Sequence, residues 1–564
     1  MKRRFAAILI LLVVGGAPAW AASSFTLDNV TVEGAGTIYR AGRLDVTDSV
    51  LSRDEMLALL AGSDKGPAPE IVAKVGAARI ATPELVTSQT SGGVTQSVTY
   101  RDVVFENVVA GRVGRASASG ATFTIKGAET GDMSGQAGAI TLSGVDLPVL
   151  SHMLVESRAT ADEAIRTVVT SGSVLDFDID LPGGAHGHVA RIDLRDAGAR
   201  ALAVPMASLV DLTPKPDAPP PSPERKRALS GLFADILTSQ SLAALNLKDV
   251  TVRSSPATAT TVTISGFGLE GVGGGRIART ALDGFSIAGG QADGTAVAHV
   301  ALDGIDLTPL LAAAVTDDPP ARAPLRFERI ALVGLATKIA GVGQPVSLAV
   351  GSAAINAGNW RDLYPHDLGL AVSNLAFDLP TDDVRARPLL DLGYRRLDLT
   401  MVADASYDPA KAELALKRVA LSDPAIGSLD MTGRFSNVGP DLLGSDAEKA
   451  RSALSAALFR HAALVVNDNG LLARMIEAQA RQPKNGSAAD VRARWAAGVR
   501  AFAMALLADN ADRGTVADAA ERFIRSGGRL ALAADAPNGL GVIDVMLSGG
   551  LQGMLGKVRL SARP

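Results

Sequence analysis

A chain of 564 residues is longer than one hydrophobic core serves, since single cores stop growing near ~250–300 residues, so two or more domains are expected. Its 55 basic and 59 acidic residues leave it mildly acidic, and the absence of a Lys/Arg run excludes the electrostatic footprint of nucleic-acid binding. It has no cysteine, which excludes a disulfide scaffold and thiol chemistry, and with 47% apolar but only 4% aromatic residues the packing falls to Leu, Val, Ile and Ala.

Lys2, Arg3 and Arg4 precede an apolar run from Phe5 to Ala17, and Ala19 and Ala21 are the small residues a signal peptidase accepts. The segment reads as a signal peptide, residues 1–21, cut after Ala21; the alternative is an uncleaved inner-membrane anchor. The run is slightly short for the ~20 residues that span a bilayer, and no later stretch is long and apolar enough to span one. The expected location is the periplasm.

Strands are expected from Phe25 to about Thr47, where Leu27, Val30 and Val32 alternate with polar neighbours. Ser52 and Glu55 then have the spacing of a capping box, in which each side chain satisfies an orphan N–H of the other's backbone, ahead of a short helix. The clearest strand is Leu175–Leu181. Plain period-two alternation sends Leu175, Phe177, Ile179 and Leu181 to one face and Asp176, Asp178 and Asp180 to the other. Arg191–Arg195 and Leu397–Met401 repeat the pattern, which implies antiparallel sheet covered on one side only.

The stretch Phe105–Ala116 recurs as Leu269–Thr280, with Glu106, Val108, Gly111, Arg112 and Arg115 matched by Glu270, Val272, Gly275, Arg276 and Arg279. Each copy is followed by a second matched block, Ile140–Leu147 and Val300–Leu307, and then by a short apolar segment. Two blocks in the same order and at similar separation indicate a duplicated unit. The proline-rich stretch 213–223 falls between the copies and reads as a semi-rigid linker, after which Ser222 caps a helix over roughly Glu224–Ser239.

Beyond residue 440 the pattern turns helical. Ser445 with Glu448 opens a helix to about His461, Leu471–Arg481 is a second, and Ser487 with Asp490 caps a third whose Trp495, Val499, Phe502 and Leu506 form one stripe. Thr515 with Asp518 caps a fourth that ends at Gly527-Gly528, before closing strands over Arg529–Ala534, Val542–Leu547 and Val558–Ala562. The fold class is therefore mainly β (α+β): extended antiparallel sheets from a duplicated unit, with a helical insertion near the C-terminus. The expected divisions are a first β-rich unit at 22–212, the linker at 213–223, a second unit at 224–320, a third β-rich region at 321–440, and a helical section with closing strands at 441–564.

Candidate chemistry is sparse. His186 and His188 alternate in a glycine-rich turn and form a candidate transition-metal pair, without a third ligand identifiable in the sequence. Asp176, Asp178 and Asp180 are candidates for a hard cation, although a calcium site needs oxygens converging from a turn, so a solvated face is the better reading. Arg112, Arg115, Arg276 and Arg279 are candidates for binding anionic head groups; the bland alternative is surface ion pairing with Glu106 and Glu270. No nucleophile elbow, phosphate loop or zinc-protease motif occurs, so no catalytic residue, cofactor or enzymatic activity is expected.

The chain resembles the AsmA-like and YdgA-like periplasmic envelope proteins of Gram-negative bacteria in the refrain Leu302–Leu311, the passage Ala405–Pro409 through Leu429–Phe435, and Val466–Arg474. That resemblance implies long curved sheets with an apolar inner face, a bearing on phospholipid traffic or outer-membrane homeostasis, and no catalytic residues. Phospholipid, a membrane surface or other envelope proteins are the expected partners. An alternative is a structural or protein-binding β-sandwich module of the periplasm with no lipid ligand. The sequence departs from the family at Ala19–Ala21, where cleavage would remove the usual anchor.

Overall fold

The computed structural model describes residues 23–563 apart from 35, 64–65, 92, 128–130, 161, 206–221, 256–258, 291, 317–324, 340–344, 362–363, 444–445, 484, 542–543 and 545–550. The expected signal peptide, most of the 213–223 linker, Ser445 and most of the Val542–Leu547 strand lie outside the described residues. Among the described residues no helix is long and apolar enough to cross a membrane.

The chain is mainly antiparallel sheet and divides into two compact units, Met1–Asp293 with Ala301–Arg326, and Gly294–Val300 with Phe327–Pro564. In the first unit each strand pairs with the next in sequence. The series is β1 (Ser23–Gly34), β2 (Thr37–Ser49), β3 (Ala77–Ser91) and β4 (Val94–Val109), followed by two strands each broken in the middle. The first broken strand is β5 (Arg112–Ala118) with β6 (Gly120–Lys126), both paired to β4; the second is β7 (Met133–Ala137) with β8 (Ile140–Asp146), both paired to β9 (Arg166–Leu181). β10 (Ala185–Ala199), β11 (Gln240–Arg253), β12 (Thr261–Gly273) and β13 (Arg276–Ala288) continue the meander. β14 (Thr295–Asp306) is divided between the units.

The proline-rich stretch, expected to separate two β-rich units, therefore leaves from β10 and returns to β11, which pair from His186↔Arg253 to Ala199↔Gln240 within one unit. Helices occupy the longer connections: α1 (Arg53–Leu60) and α2 (Ala68–Val72) between β2 and β3, α3 (Leu147–Val155) after β8, α4 (Pro223–Thr238) before β11, and α5 (Thr308–Ala314) after β14. The capping box of α1 forms as expected, with Ser52 N donating to Glu55 at 2.7 Å and Glu55 N to Ser52 Oγ at 3.3 Å. Ser222 caps α4. The first unit's main core lies at its N-terminal end, where α1, α2 and the start of α3 cover Leu27, Val46, Val113 and their neighbours.

The second unit is also a meander, β15 (Arg329–Ile339), β16 (Val346–Arg361), β17 (Tyr364–Asp378), β18 (Arg396–Asp408), β19 (Glu413–Asp423), β20 (Gly427–Ser436), β21 (Leu458–Asp468), β22 (Gly528–Leu540) and β23 (Arg559–Arg563), each paired antiparallel to the next. α6 (Arg387–Asp391) precedes β18 and α7 (Ala447–Ala456) precedes β21. α8 (Leu471–Ala480), α9 (Ala488–Leu506) and α10 (Arg513–Ser526) are inserted between β21 and β22, and α11 (Leu551–Leu555) precedes β23.

Two expectations for this section are corrected. The helix after residue 445 ends at Ala456, and His461 belongs to β21, whose Ala462, Leu464 and Val466 alternate with polar His461 and Asn467. α10 begins at Arg513 rather than behind Thr515, and Asp518 pairs with Arg500 of α9 instead of capping. The box of Ser487 and Asp490 on α9 forms as expected.

A regular irregularity crosses the sheets. Asp48, Asn107, Gly144, Asp196 and Gly271 all adopt left-handed backbone, with φ between 45° and 61°. They lie on β2, β4, β8, β10 and β12, and between them stand Ala78, Gly114, Thr170 and Ala243, which share their absence from the ladders. A second line joins Asp176, Ala190, Asp249, Ser265 and Gly284, and there too alternate members are left-handed. Asn, Asp and Gly are the residues that tolerate this conformation. Its effect is to break the period-two alternation, so that apolar residues three apart share a face. Leu27 and Val30 flank left-handed Asn29 and are 0% and 7% exposed. The reading of Leu175–Leu181 as a plain alternation is corrected by the same rule. Asp176 has φ 48°, and Leu175 lines up with Arg191, Lys248 and Asp283 rather than with the partners of Phe177.

Candidate functional site

In each unit the registers carry apolar residues across one sheet face. In the second unit Ile330, Ile355, Leu370, Ala403, Val419, Met431, Leu464, Leu532 and Ala562 are successive partners from β15 to β23. Two residues along, Leu332, Ala353, Val372, Met401, Leu421, Leu429, Val466 and Leu530 form a parallel row from β15 to β22. The opposite face is charged: Arg418 pairs with Asp430 at 2.8 Å, Lys417 with Asp367 at 3.3 Å, Arg434 with Glu413 at 3.1 Å and His461 with Asp535 at 2.7 Å. A one-residue slip of any strand would exchange these faces, so the two-sided pattern fixes the register.

The apolar face is only partly covered. Leu370, Leu421 and Leu429 are 37%, 45% and 41% exposed, and most other row members are half-buried. At the C-terminal end α8, α9 and α10 stand over it and leave two open hollows of about 380 Å³ each. One is bounded by Leu421, Leu429, Val466 and Met475, the other by Met431, Leu464, Val499 and Phe502. Val499, Phe502 and Leu506 of the expected α9 stripe face the second hollow, where Phe502 remains 67% exposed, while Trp495 packs with Leu472, Ile476 and Val491.

The first unit repeats the design. Val174, Ile192, Leu247, Phe267 and Leu282 form one apolar row, and Phe177, Val189, Val250 and Ile264 form another three residues along, on the far side of the left-handed line. Between β9 and β12 the opposite face carries the polar row Asp178, His188, Thr251 and Thr263.

This polar face brings together four of the five candidate metal ligands. His188 Nδ1 lies 2.8 Å from Asp178 Oδ1, His186 Nδ1 lies 2.9 Å from Asp180 Oδ1, and Gln136 Nε2 donates to Asp178 Oδ2 at 3.2 Å. The hydrogen bonds from His188 and then Gln136 hold the Asp178 carboxyl below the usual carboxylate range, against burial. Asp176 sits on the left-handed line instead. Among the described residues no group of three or more His, Asp or Glu side chains is disposed to hold a metal ion.

The candidate arginines mark the duplication. Arg112 Nε meets Asp146 Oδ2 at 2.8 Å, and Arg276 Nε meets Asp306 Oδ2 at 3.5 Å, at matching positions of the two copies. Leu147 N donates to Gly111 O at 2.8 Å and Leu307 N to Gly275 O at 2.9 Å, so each hairpin turn is tied to the start of the following helical segment in the same way. A Cβ on Gly111 would lie 2.4 Å from Pro148, and one on Gly275 would lie 3.0 Å from Leu311, which explains the shared glycine. The expected glutamate partners are replaced by aspartates: Arg279 reaches Asp303 at 3.5 Å, while Arg115 stands opposite Glu106 without forming an ion pair among the described residues. Arg112, Arg276 and Arg279 thus each form a surface ion pair with an aspartate of the second matched block.

Sequence reading missed the continuous apolar rows, because register between strands is not written in one strand. The left-handed lines did leave a signal, the recurring pattern of an apolar residue, any residue, Asn/Asp/Gly, then an apolar residue, as in Leu27–Val30, Phe105–Val108, Leu247–Val250 and Leu302–Ile305.

A family model described only as "Uncharacterized protein" matches residues 420–563, the stretch that holds α8 to α10 and most of both hollows. No curated protein matches the chain.

Proposed function

We propose that the protein is a non-enzymatic envelope protein that carries phospholipid acyl chains along its apolar sheet faces. The observation that supports this most is the unbroken apolar row from Ile330 to Ala562, left half-exposed over most of its length. Exposed apolar surface costs about 25 cal/mol per Å², and soluble monomers rarely leave a patch of more than a few hundred Å² without a partner. Acyl chains suit such a face because they need no hydrogen-bonding partner and can follow a row of aliphatic side chains. The hollows under α8, α9 and α10 fit the same chemistry, being walled mainly by aliphatic side chains, with Phe523 at the first and Phe502 at the second. The resemblance to AsmA-like and YdgA-like proteins, and export to the periplasm through the segment ending at Ala21, belong to this reading. Native mass spectrometry of the purified mature protein, with solvent extraction, tests it. Phospholipid should co-purify; a lipid-free protein that takes up none from vesicles would favour a protein-binding module.

A further inference from the structure

We propose that the hollow between α4 and α5 in the first unit binds a phosphate-bearing headgroup, an inference that rests on the lipid reading but stands on different residues. The hollow has a volume of about 360 Å³, within the range of small-molecule sites. Arg158, Arg200 and Asp235 form one part of its wall, and Ala234, Leu311 and Val315 an apolar part. A cationic end joined to an aliphatic end is the complement of a headgroup with the start of its chain.

The cationic end is built and held. Asp235 is 9% exposed, accepts from Ala203 N at 2.7 Å, binds Arg158 Nη1 directly, and has Arg200 Nη2 at 4.0 Å. Arg200 also donates to the Glu163 carbonyl at 3.4 Å. The Glu163 carboxylate is taken by His152 Nε2 at 3.0 Å and Ala159 N at 3.1 Å. A guanidinium has five N–H donors in a planar fork, and Arg158 spends one of them on a side-chain bond among the described residues. The remaining fork matches the spacing of phosphate oxygens, where bidentate charge-assisted bonds are strongest. Asp235 then acts as the group that orients Arg158, and the side chain, 22% exposed, is sheltered enough from water for the attraction to be weakly screened.

The phosphate could belong to a phospholipid or be free, and two probes separate these sources. Dihexanoyl phosphatidic acid, below its micellar concentration, and inorganic phosphate are titrated calorimetrically into the full-length protein and into two variants. Ala312→Trp fills the mouth of the hollow without touching the ion pairs, and Arg158→Gln removes the free fork. The expected result is binding of the lipid probe that weakens about tenfold or more in both variants, with inorganic phosphate competing. Equal affinity for the two probes, lost in the same variants, supports the site with free phosphate as its source. Binding of neither probe, or binding unchanged in Ala312→Trp, overturns the proposal; should Arg158→Gln not fold, Ala312→Trp decides alone. Native mass spectrometry of Ala312→Trp distinguishes the two readings, because lipid held by the Ile355–Leu464 row is retained when only this site is lost.

Discussion

Asn107 stands opposite Gly114 across the β4–β5 hairpin, where neither residue joins the ladder, and a Cβ on Gly114 would lie 2.9 Å from that of Asn107. One strand supplies the left-handed residue and the other the space beside it. The pair keeps Phe105 and Val108 on one face although they are three apart, and opposite them keeps Val113 with Ala116. An ordinary side chain at position 107 costs about 1–2 kcal/mol in this conformation, and a β-branched one more. Asn107→Val should therefore lower the thermal midpoint, while Asn107→Gly should leave it nearly unchanged. Equal effects of the two substitutions would show that the backbone at this position is not left-handed.

The hydrogen bond from His188 is the first cause of the depressed Asp178 carboxyl. A carboxyl whose folded pKa lies below its unfolded value adds stability that is present above the unfolded value, here near the ordinary 3.8, and is lost as pH falls through the folded value. Asp178→Asn should melt below the natural protein at pH 6, and the gap should close as pH falls below about 4. A gap that stays constant down to pH 2 would contradict the assignment.

Ser487 is the clearest cap in the C-terminal section, donating its Oγ to Asp490 at 2.7 Å and accepting from Asp490 N at 3.2 Å. Ser487→Ala should cost about 1 kcal/mol of stability, and Ser487→Gly a few tenths. Denaturant melts of the two variants measure this directly. An alanine variant as stable as the natural protein would mean that the box contributes no bond of its own.

Features carried by neighbouring residues were legible in the sequence. Ser52 with Glu55 and Ser487 with Asp490 announced helix starts because a cap is a contact between residues three apart. The duplicated blocks announced their shared hairpin because both copies keep the same glycine and arginine. Leu175 was misplaced because period-two counting assumes extended backbone throughout, and Asp176 violates that. His461 was assigned to a helix because the alanine-rich run from Ala447 to Ala463 fits either element locally, and only pairing with Arg434 and Asp535 decides for the strand. The candidate site was hardest to read, since the row from Ile355 through Met431 to Leu464 exists only once β16 to β21 are in register.

The core of the first unit offers a control for effects of folding on any binding result. Leu27 is fully buried beside Val46 and Met56, so Leu27→Ala should destabilise by about 2–5 kcal/mol. Because Leu27 lies outside the β9–β13 apolar rows, its variant should still hold lipid at temperatures where it remains folded. Loss of lipid from the folded variant would show that retention follows global stability and not the sheet face.

The central claim, that acyl chains lie on the apolar face, is tested most directly by photo-crosslinking from the two sides of one strand. Benzoylphenylalanine is introduced in turn at the positions of Leu370 and Asp367 on β17, which face the apolar row and the charged face respectively. Irradiation in cells followed by mass spectrometry should give phospholipid adducts at position 370 and none at 367. Adducts at neither position, or equal adducts at both, would contradict the account.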